Sequence, residues 1–346
     1  MPPNLLDLSF TELEAILSAW GEPAYRARQV WTWTYVHQVD DFQQMTNLPR
    51  PLRDRLADAF LIDPLTPLTS QTADDGLTEK VLLALPGGER IEAVLMRYPA
   101  AGRNTVCVST QVGCAMGCVL CATGQMGFRR NLSAGEIVAQ VLHAARWLRP
   151  HDQSVTHVVL MGMGEPLANY DASLVAIRRL NDPAGFNLGA RRFTISTVGL
   201  VPGIRRLAGE NLQVNLAISL HAPDDAQRDE LVPVNRRYPL ADLFAAVREY
   251  IDRTHRRVTF EYALIADVND SAAQARALAA RLRGLLAHVN LVPLNPVPGV
   301  DLQPSSPRQV RAFQRVLEEA HIPVTLRDSR GISIQAGCGQ LWAQTR

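Results

Sequence analysis

Six short runs rich in β-branched and aliphatic residues recur at 104–110, 155–161, 192–197, 213–220, 257–265 and 289–294. Segments of helical character separate most of them, notably 133–149, 240–254 and 271–287. Strands that alternate with helices line up in parallel, with the helices covering the sheet. Ser133 followed by Glu136 supplies a capping box at the start of the first helix. Six units are too few for a closed eight-stranded barrel. The expected fold is therefore α/β, either an incomplete barrel or an open sheet. In both, chemistry gathers at the C-terminal ends of the strands.

The preceding residues read differently. Over 9–60, Glu12, Leu13, Ile16 and Leu17 keep helical spacing, and Val30, Trp31, Trp33, Thr34 and Tyr35 continue it. Aromatics interleaved with Arg26 and Arg28 suit either the core of a small helical domain or a nucleic-acid contact. Runs at 81–85 and 91–96 flank Pro86, Gly87 and Gly88, the pattern of a β-hairpin. The expected division is a helical accessory domain over 1–75, a hairpin extension over 76–100 and the alternating core over 101–346.

With 47% hydrophobic and 20% charged residues, the 346-residue chain has globular composition. No apolar run reaches the roughly 18 residues of a membrane span, and the first residues lack a secretory pattern. A cytoplasmic protein is expected. The net charge of +1 does not announce a polyanion binder. Lys80 is the only lysine, and the other 34 of 35 basic residues are arginine. Codon bias accounts for such a preference. The doublets at 129–130, 178–179, 191–192, 205–206, 236–237 and 256–257 would also make a phosphate track if they shared a face.

Five cysteines in a chain this long do not suggest a disulfide framework. Three of them, Cys114, Cys118 and Cys121, form C-x3-C-x2-C just after the first strand of the core. Three thiolates can hold three irons of a [4Fe–4S] cluster and leave the fourth iron open for a ligand. Structural zinc is the alternative; it would need a fourth ligand from Cys107, Cys338 or a distant histidine.

At these residues the chain resembles a known family. C-x3-C-x2-C after a first strand is the radical-SAM signature. The blocks Cys121-Ala-Thr-Gly-Gln-Met-Gly-Phe128, Met161-Gly-Met-Gly-Glu-Pro166 and Gly337-Cys338-Gly-Gln-Leu341 resemble the RlmN/Cfr family of radical-SAM RNA adenosine methyltransferases, closest to its RlmN branch. The resemblance implies an incomplete (β/α)6 barrel that holds a [4Fe–4S] cluster on the three cysteines. It implies S-adenosylmethionine (SAM) contacts at Gly164, Glu165, Ser196, Ser219, Leu220, His221 and Asn295. It further implies that Cys338 carries a methyl group as S-methylcysteine, that Cys107 resolves the protein–RNA adduct through a transient disulfide, and that Glu92 removes the ring proton, with two SAM consumed per turnover.

The implied product is adenosine methylated at C2 in 23S rRNA and in tRNA. Methylation at C8, the Cfr activity, is the alternative within the family. A zinc-bound RNA-binding protein without catalysis, and a radical-SAM enzyme acting on protein or a small molecule, are the alternatives outside it. A flavodoxin-type electron donor and a monomeric state are also implied. One departure stands out: the family commonly places acidic residues ahead of the last cysteine, and here residues 331–337 read GISIQAG.

Overall fold

The computed structural model describes residues 2–327 and 330–343. Three helices come first: α1 (Phe10–Ala19), α2 (Tyr25–Tyr35) and α3 (Arg50–Ala59). Ser9 and Glu12 form a capping box that starts α1. The N-terminal region docks on the rest of the chain through specific pairs. Trp31 Nε1 donates to Asp182 Oδ2 at 2.8 Å, and Gly135 N–H donates to Asp7 Oδ1 at 2.7 Å. The apolar residues of the three helices belong to the same buried cluster as the main core.

Four antiparallel strands come next: β1 (Thr66–Thr72), β2 (Thr78–Ala84), β3 (Arg90–Tyr98) and β4 (Arg103–Cys107). The hairpin expected over 78–98 is β2 and β3. The strand β1 beside it escapes a sequence reading, because all seven of its residues are exposed and it lacks apolar alternation. Its pairing with β2 is interrupted by a bulge between Pro67 and Thr69.

From β4 onward the pairing turns parallel. β7 (His157–Leu160), β8 (Phe193–Thr197), β9 (Asn215–Ser219), β10 (Val258–Leu264), β11 (Ala287–Pro293) and β12 (Val324–Leu326) complete one ten-stranded sheet in the order β1-β2-β3-β4-β7-β8-β9-β10-β11-β12. The six expected strands correspond to β4 and β7 through β11. The sheet does not close; β1 and β12 are its edges.

Helices α5 (Ala134–Leu148), α6 (Tyr170–Asn181), α7 (Val201–Leu207), α8 (Asp225–Leu231), α9 (Leu240–Thr254), α10 (Ala272–Leu282) and α11 (Pro307–Glu319) link the parallel strands. The expected capping box of Ser133 and Glu136 starts α5. Short β5 (Gln111–Gly113) and β6 (Phe128–Asn131) pair outside the main sheet and frame the cysteine loop, which includes the single-turn α4 (Ala122–Gln125). Among the described residues no helix is long and apolar enough to cross a membrane.

Candidate active site

The cysteine loop leaves the sheet beyond the C-terminal end of β4, where parallel α/β folds place their chemistry. At Gly113 the backbone has φ of +73°, and a Cβ there would lie 1.8 Å from the carbonyl oxygen of Gly127. Only glycine permits so tight a pairing of β5 with β6. Cys114 N–H donates to that carbonyl at 3.0 Å, and Val119 N–H donates to Leu231 O at 3.1 Å, seating the loop on the end of α8.

Cys114, Cys118 and Cys121 line one cavity at the C-terminal ends of the parallel strands. Gly164, Glu165, Ser196, Ser219, His221 and Asn295 line the same cavity. Leu220 does not. Its side chain is buried in the core, and its carbonyl accepts from Arg228 Nε at 3.0 Å. Burial pushes the Cys114 thiol up to about 12 and raises Cys118 and Cys121 as well. Such thiols deprotonate on binding metal.

Each polar group of the cavity is held from behind. Glu165 accepts backbone N–H bonds from Leu167 and Val198, both at 2.9 Å. Burial still raises its carboxyl to about 7, so it gains from a cationic partner. Gly164 has φ of +101°, and a Cβ there would fall 2.5 Å from that of Gln111, whose Oε1 accepts from Glu165 N–H. Ser196 and Ser219 hydroxyls lie 3.4 Å apart. His221 Nδ1 accepts from Ala263 N–H at 3.0 Å, which leaves the ring proton on Nε2. Burial pushes His221 down to about 3, so the ring stays neutral.

The donor set fits the cofactors expected from the sequence. Asn295 donates through Nδ2 to Cys338 O at 3.0 Å, while its Oδ1 is buried and has no hydrogen-bond partner in the protein. A buried amide oxygen left so costs about 1–3 kcal/mol, a deficit that a ligand donor removes. The thiols stand along a cavity wall, in keeping with a multi-iron cluster.

A second cavity adjoins the first. Cys107, at the end of β4, lines it, and Cys338 and Arg327 line both cavities. Cys107 is buried, and desolvation pushes its thiol up to about 12; the Arg327 guanidinium pulls the other way. Glu92 is not in either cavity. It faces a third, polar one, where it pairs with Lys80 at 3.0 Å. Sequence reasoning missed Arg228 and Arg327. Arg228 is fully buried under the strand ends, donating to carbonyls of Leu220, Ser219 and Val198 and to Asn235 Oδ1. Neither arginine differs in sequence from the other arginines around it; only Lys80 carried a signal, as the sole lysine.

Comparison with known proteins agrees with this geometry. Residues 3–62 match the ribosomal RNA large subunit methyltransferase N-terminal domain, and residues 108–278 match the radical SAM superfamily. The chain is 51% identical to the probable dual-specificity RNA methyltransferase RlmN of Roseiflexus castenholzii, over 98% of this chain and 96% of that one. It is 49% identical to the dual-specificity RNA methyltransferase RlmN 1 of Myxococcus xanthus, over 98% and 94%. A crystal structure of a radical SAM methyltransferase from Sphaerobacter thermophilus superposes with a TM-score of 0.97 at 53% identity, covering 99% of this chain and 100% of that one. With the cysteine loop, the cavity and the full-length likeness in agreement, this chain belongs to the RlmN family and is a radical-SAM methyltransferase whose cofactors are a [4Fe–4S] cluster and SAM.

Proposed function

We propose that this enzyme methylates C2 of adenosine in 23S rRNA and in tRNA, with Cys338 as methyl carrier and Cys107 as resolving thiol. One observation carries the reading: Cys338 stands where two cavities meet, with the three cluster cysteines on one side and Cys107 on the other. The relatives' names, dual-specificity RNA methyltransferases, support the substrate class.

When bound, the cluster and SAM supply a 5′-deoxyadenosyl radical. Cys114, Cys118 and Cys121 would hold the cluster. Glu165 would pair with the SAM ammonium, while Ser196, Ser219, His221 and Asn295 would orient the rest; Gly164 leaves room for it. Cys338 takes a methyl group on sulfur from one SAM and loses a hydrogen atom from that methyl to the radical from a second. Its methylene then bonds to the ring carbon of an unstacked adenosine.

Glu92 is the proposed acceptor of the ring proton, directly or through water, which requires its carboxylate to part from Lys80; the unpaired electron of the ring adduct must leave as well, to the oxidised cluster. Cys107 attacks the sulfur of Cys338 as a thiolate, the electron pair of the C–S bond goes to the nucleoside carbon, which takes a proton to become a methyl group, and a disulfide remains for reduction. Residues 1–75, three helices followed by β1, and the exposed arginines of the doublets are the proposed grips on RNA, with the hairpin of 76–100 joining them to the main sheet; Arg179 is buried against Leu6 O and Tyr35 and is not among them. A flavodoxin-type donor, a monomeric state and a cytoplasmic location complete the reading.

The test is mass spectrometry of nucleosides from unmodified ribosomal RNA and tRNA. The RNA is incubated without oxygen with iron-reconstituted protein, SAM and a reductant. 2-Methyladenosine is expected. 8-Methyladenosine would move the enzyme to C8 chemistry. No methylated adenosine, from protein shown to cleave SAM, would overturn the RNA reading.

A further inference from the structure

Lys80 and Glu92 lie on neighbouring strands β2 and β3, facing the segment that carries Cys338. Both are buried, at 9% and 5% exposure, and their charged atoms are 3.0 Å apart. A buried ion pair is an expensive way to hold a hairpin together, since apolar residues of the same volume serve as well. The remaining contacts of the pair point elsewhere. Lys80 Nζ donates to Gln335 O at 3.4 Å, and Glu92 Oε2 accepts from Trp342 N–H at 2.8 Å. These two tethers fall on either side of Cys338.

Within the segment, Ala336 N–H donates to Gly331 O at 2.8 Å, and Gly337 N–H donates to Gln340 Oε1 at 3.1 Å. Gly331, Gly337 and Gly339 let its backbone pack against neighbours that a Cβ would meet at 2.6–2.8 Å, and Gln335, though not glycine, is held at φ of +53°. Its other fastenings lead to the cluster loop, where Ala122 N–H donates to Gly339 O at 2.7 Å and Thr123 Oγ1 donates to Leu341 O at 2.6 Å, and to the residues after β11, where Asn295 Nδ2 donates to Cys338 O at 3.0 Å and Gln340 Nε2 donates to Pro296 O at 2.8 Å.

Composition adds an independent argument. Every other cation of the chain's Lys and Arg set is arginine, yet this one position keeps lysine. An ammonium is a compact point charge with three donors, whereas a guanidinium is a wide planar fork. A narrow polar cavity that must serve a carboxylate and a carbonyl at once suits the former.

We propose that Lys80 and Glu92 form a two-point latch that positions the Cys338 segment between the cluster cavity and Cys107, with Lys80 as a positioning residue for the reaction. Its catalytic meaning rests on the methyl-carrier reading of Cys338; the latch itself does not.

Hydrogen–deuterium exchange of the purified protein, without RNA or SAM, tests it. Lys80→Met is expected to speed amide exchange over 331–343 by about tenfold, with the strands β7 to β11 unchanged. Unchanged exchange over 331–343 in a folded Lys80→Met protein would overturn the latch. If that variant does not fold, Lys80→Met combined with Glu92→Gln removes both charges while leaving an acceptor for Trp342 N–H. Faster exchange over 331–336 with Trp342 still protected is then expected. Uniform protection, or loss of the whole fold in both variants, would overturn the proposal. A second readout separates positioning from mere support. In the presence of RNA, folded Lys80→Met, which keeps Glu92, should form more 5′-deoxyadenosine per methylated nucleoside than the wild type, and an unchanged ratio would overturn the positioning role. Failure of the wild type to methylate RNA would remove the RNA reading and leave the exchange result standing.

Discussion

Two groups of cysteines meet in this enzyme, and they are built in opposite ways. Cys114, Cys118 and Cys121 lie within eight residues of one loop, so their proximity comes from chain geometry almost regardless of the rest of the fold. Cys107 and Cys338 are far apart in sequence and line one cavity only because β4 and the C-terminal segment are brought to the same place. A local motif declares its chemistry by spacing. An assembled pair depends on every element that carries it, and its chemistry is adjusted by residues that no motif names.

The widest separation between the two groups should come from cysteine exchange. Cys118→Ala should reduce bound iron and SAM cleavage to background. Cys338→Ala should keep both and abolish methylated nucleoside, as read by iron assay and product analysis. If Cys338→Ala also lost its iron, the two groups would not be separable.

Next in size, Cys107→Ala should stop after one turnover with RNA attached to protein, visible as a shifted band on a denaturing gel. In the wild type, release should quicken about tenfold per pH unit from about pH 7 to pH 9. The thiolate fraction of a thiol held at about 12 rises by that factor, and a flat profile would assign deprotonation to some other step.

A smaller effect tests whether even the local motif is self-sufficient. Arg228→Met strips donors from four acceptors beneath the cluster loop and should cost roughly 3 kcal/mol or more in a denaturant titration. A near-neutral result would mean that water replaces the guanidinium.

The smallest effect concerns Glu165. Its folded carboxyl is raised to about 7, so it is ionised above that pH and protonated below. SAM affinity should therefore weaken as pH falls through about 7, by up to about tenfold per unit. Apo-protein stability should run the other way, since the folded state holds this proton more tightly: stability declines as pH rises from the ordinary carboxyl range to about 7. Calorimetric titration of SAM binding and apo-protein melting across that range check both signs.

Legibility in the sequence divides along the same line. The parallel core was readable because buried strands and amphipathic helices impose periodicity, and β4 and β7 through β11 fall where the six runs stood. β1 carries no such signal, because nothing on it is buried. The three-cysteine motif was readable from spacing, and the choice of a cluster over zinc came from family membership. Glu92 was proposed as the proton acceptor by resemblance alone, and its burial beside Lys80 could not have been read from an alternating strand. Arg228 and Arg327 were invisible, because burial of an arginine is a property of the fold.

The bulge beside Pro67 has a consequence for how molecules of this enzyme coexist. β1 is an exposed, polar outer strand whose free edge would otherwise offer a ladder of peptide groups to a neighbouring copy. Proline has no N–H to offer, and the slip in register between Pro67 and Thr69 breaks the even spacing that sheet addition requires. The outer border of the open sheet is thereby kept from templating self-association.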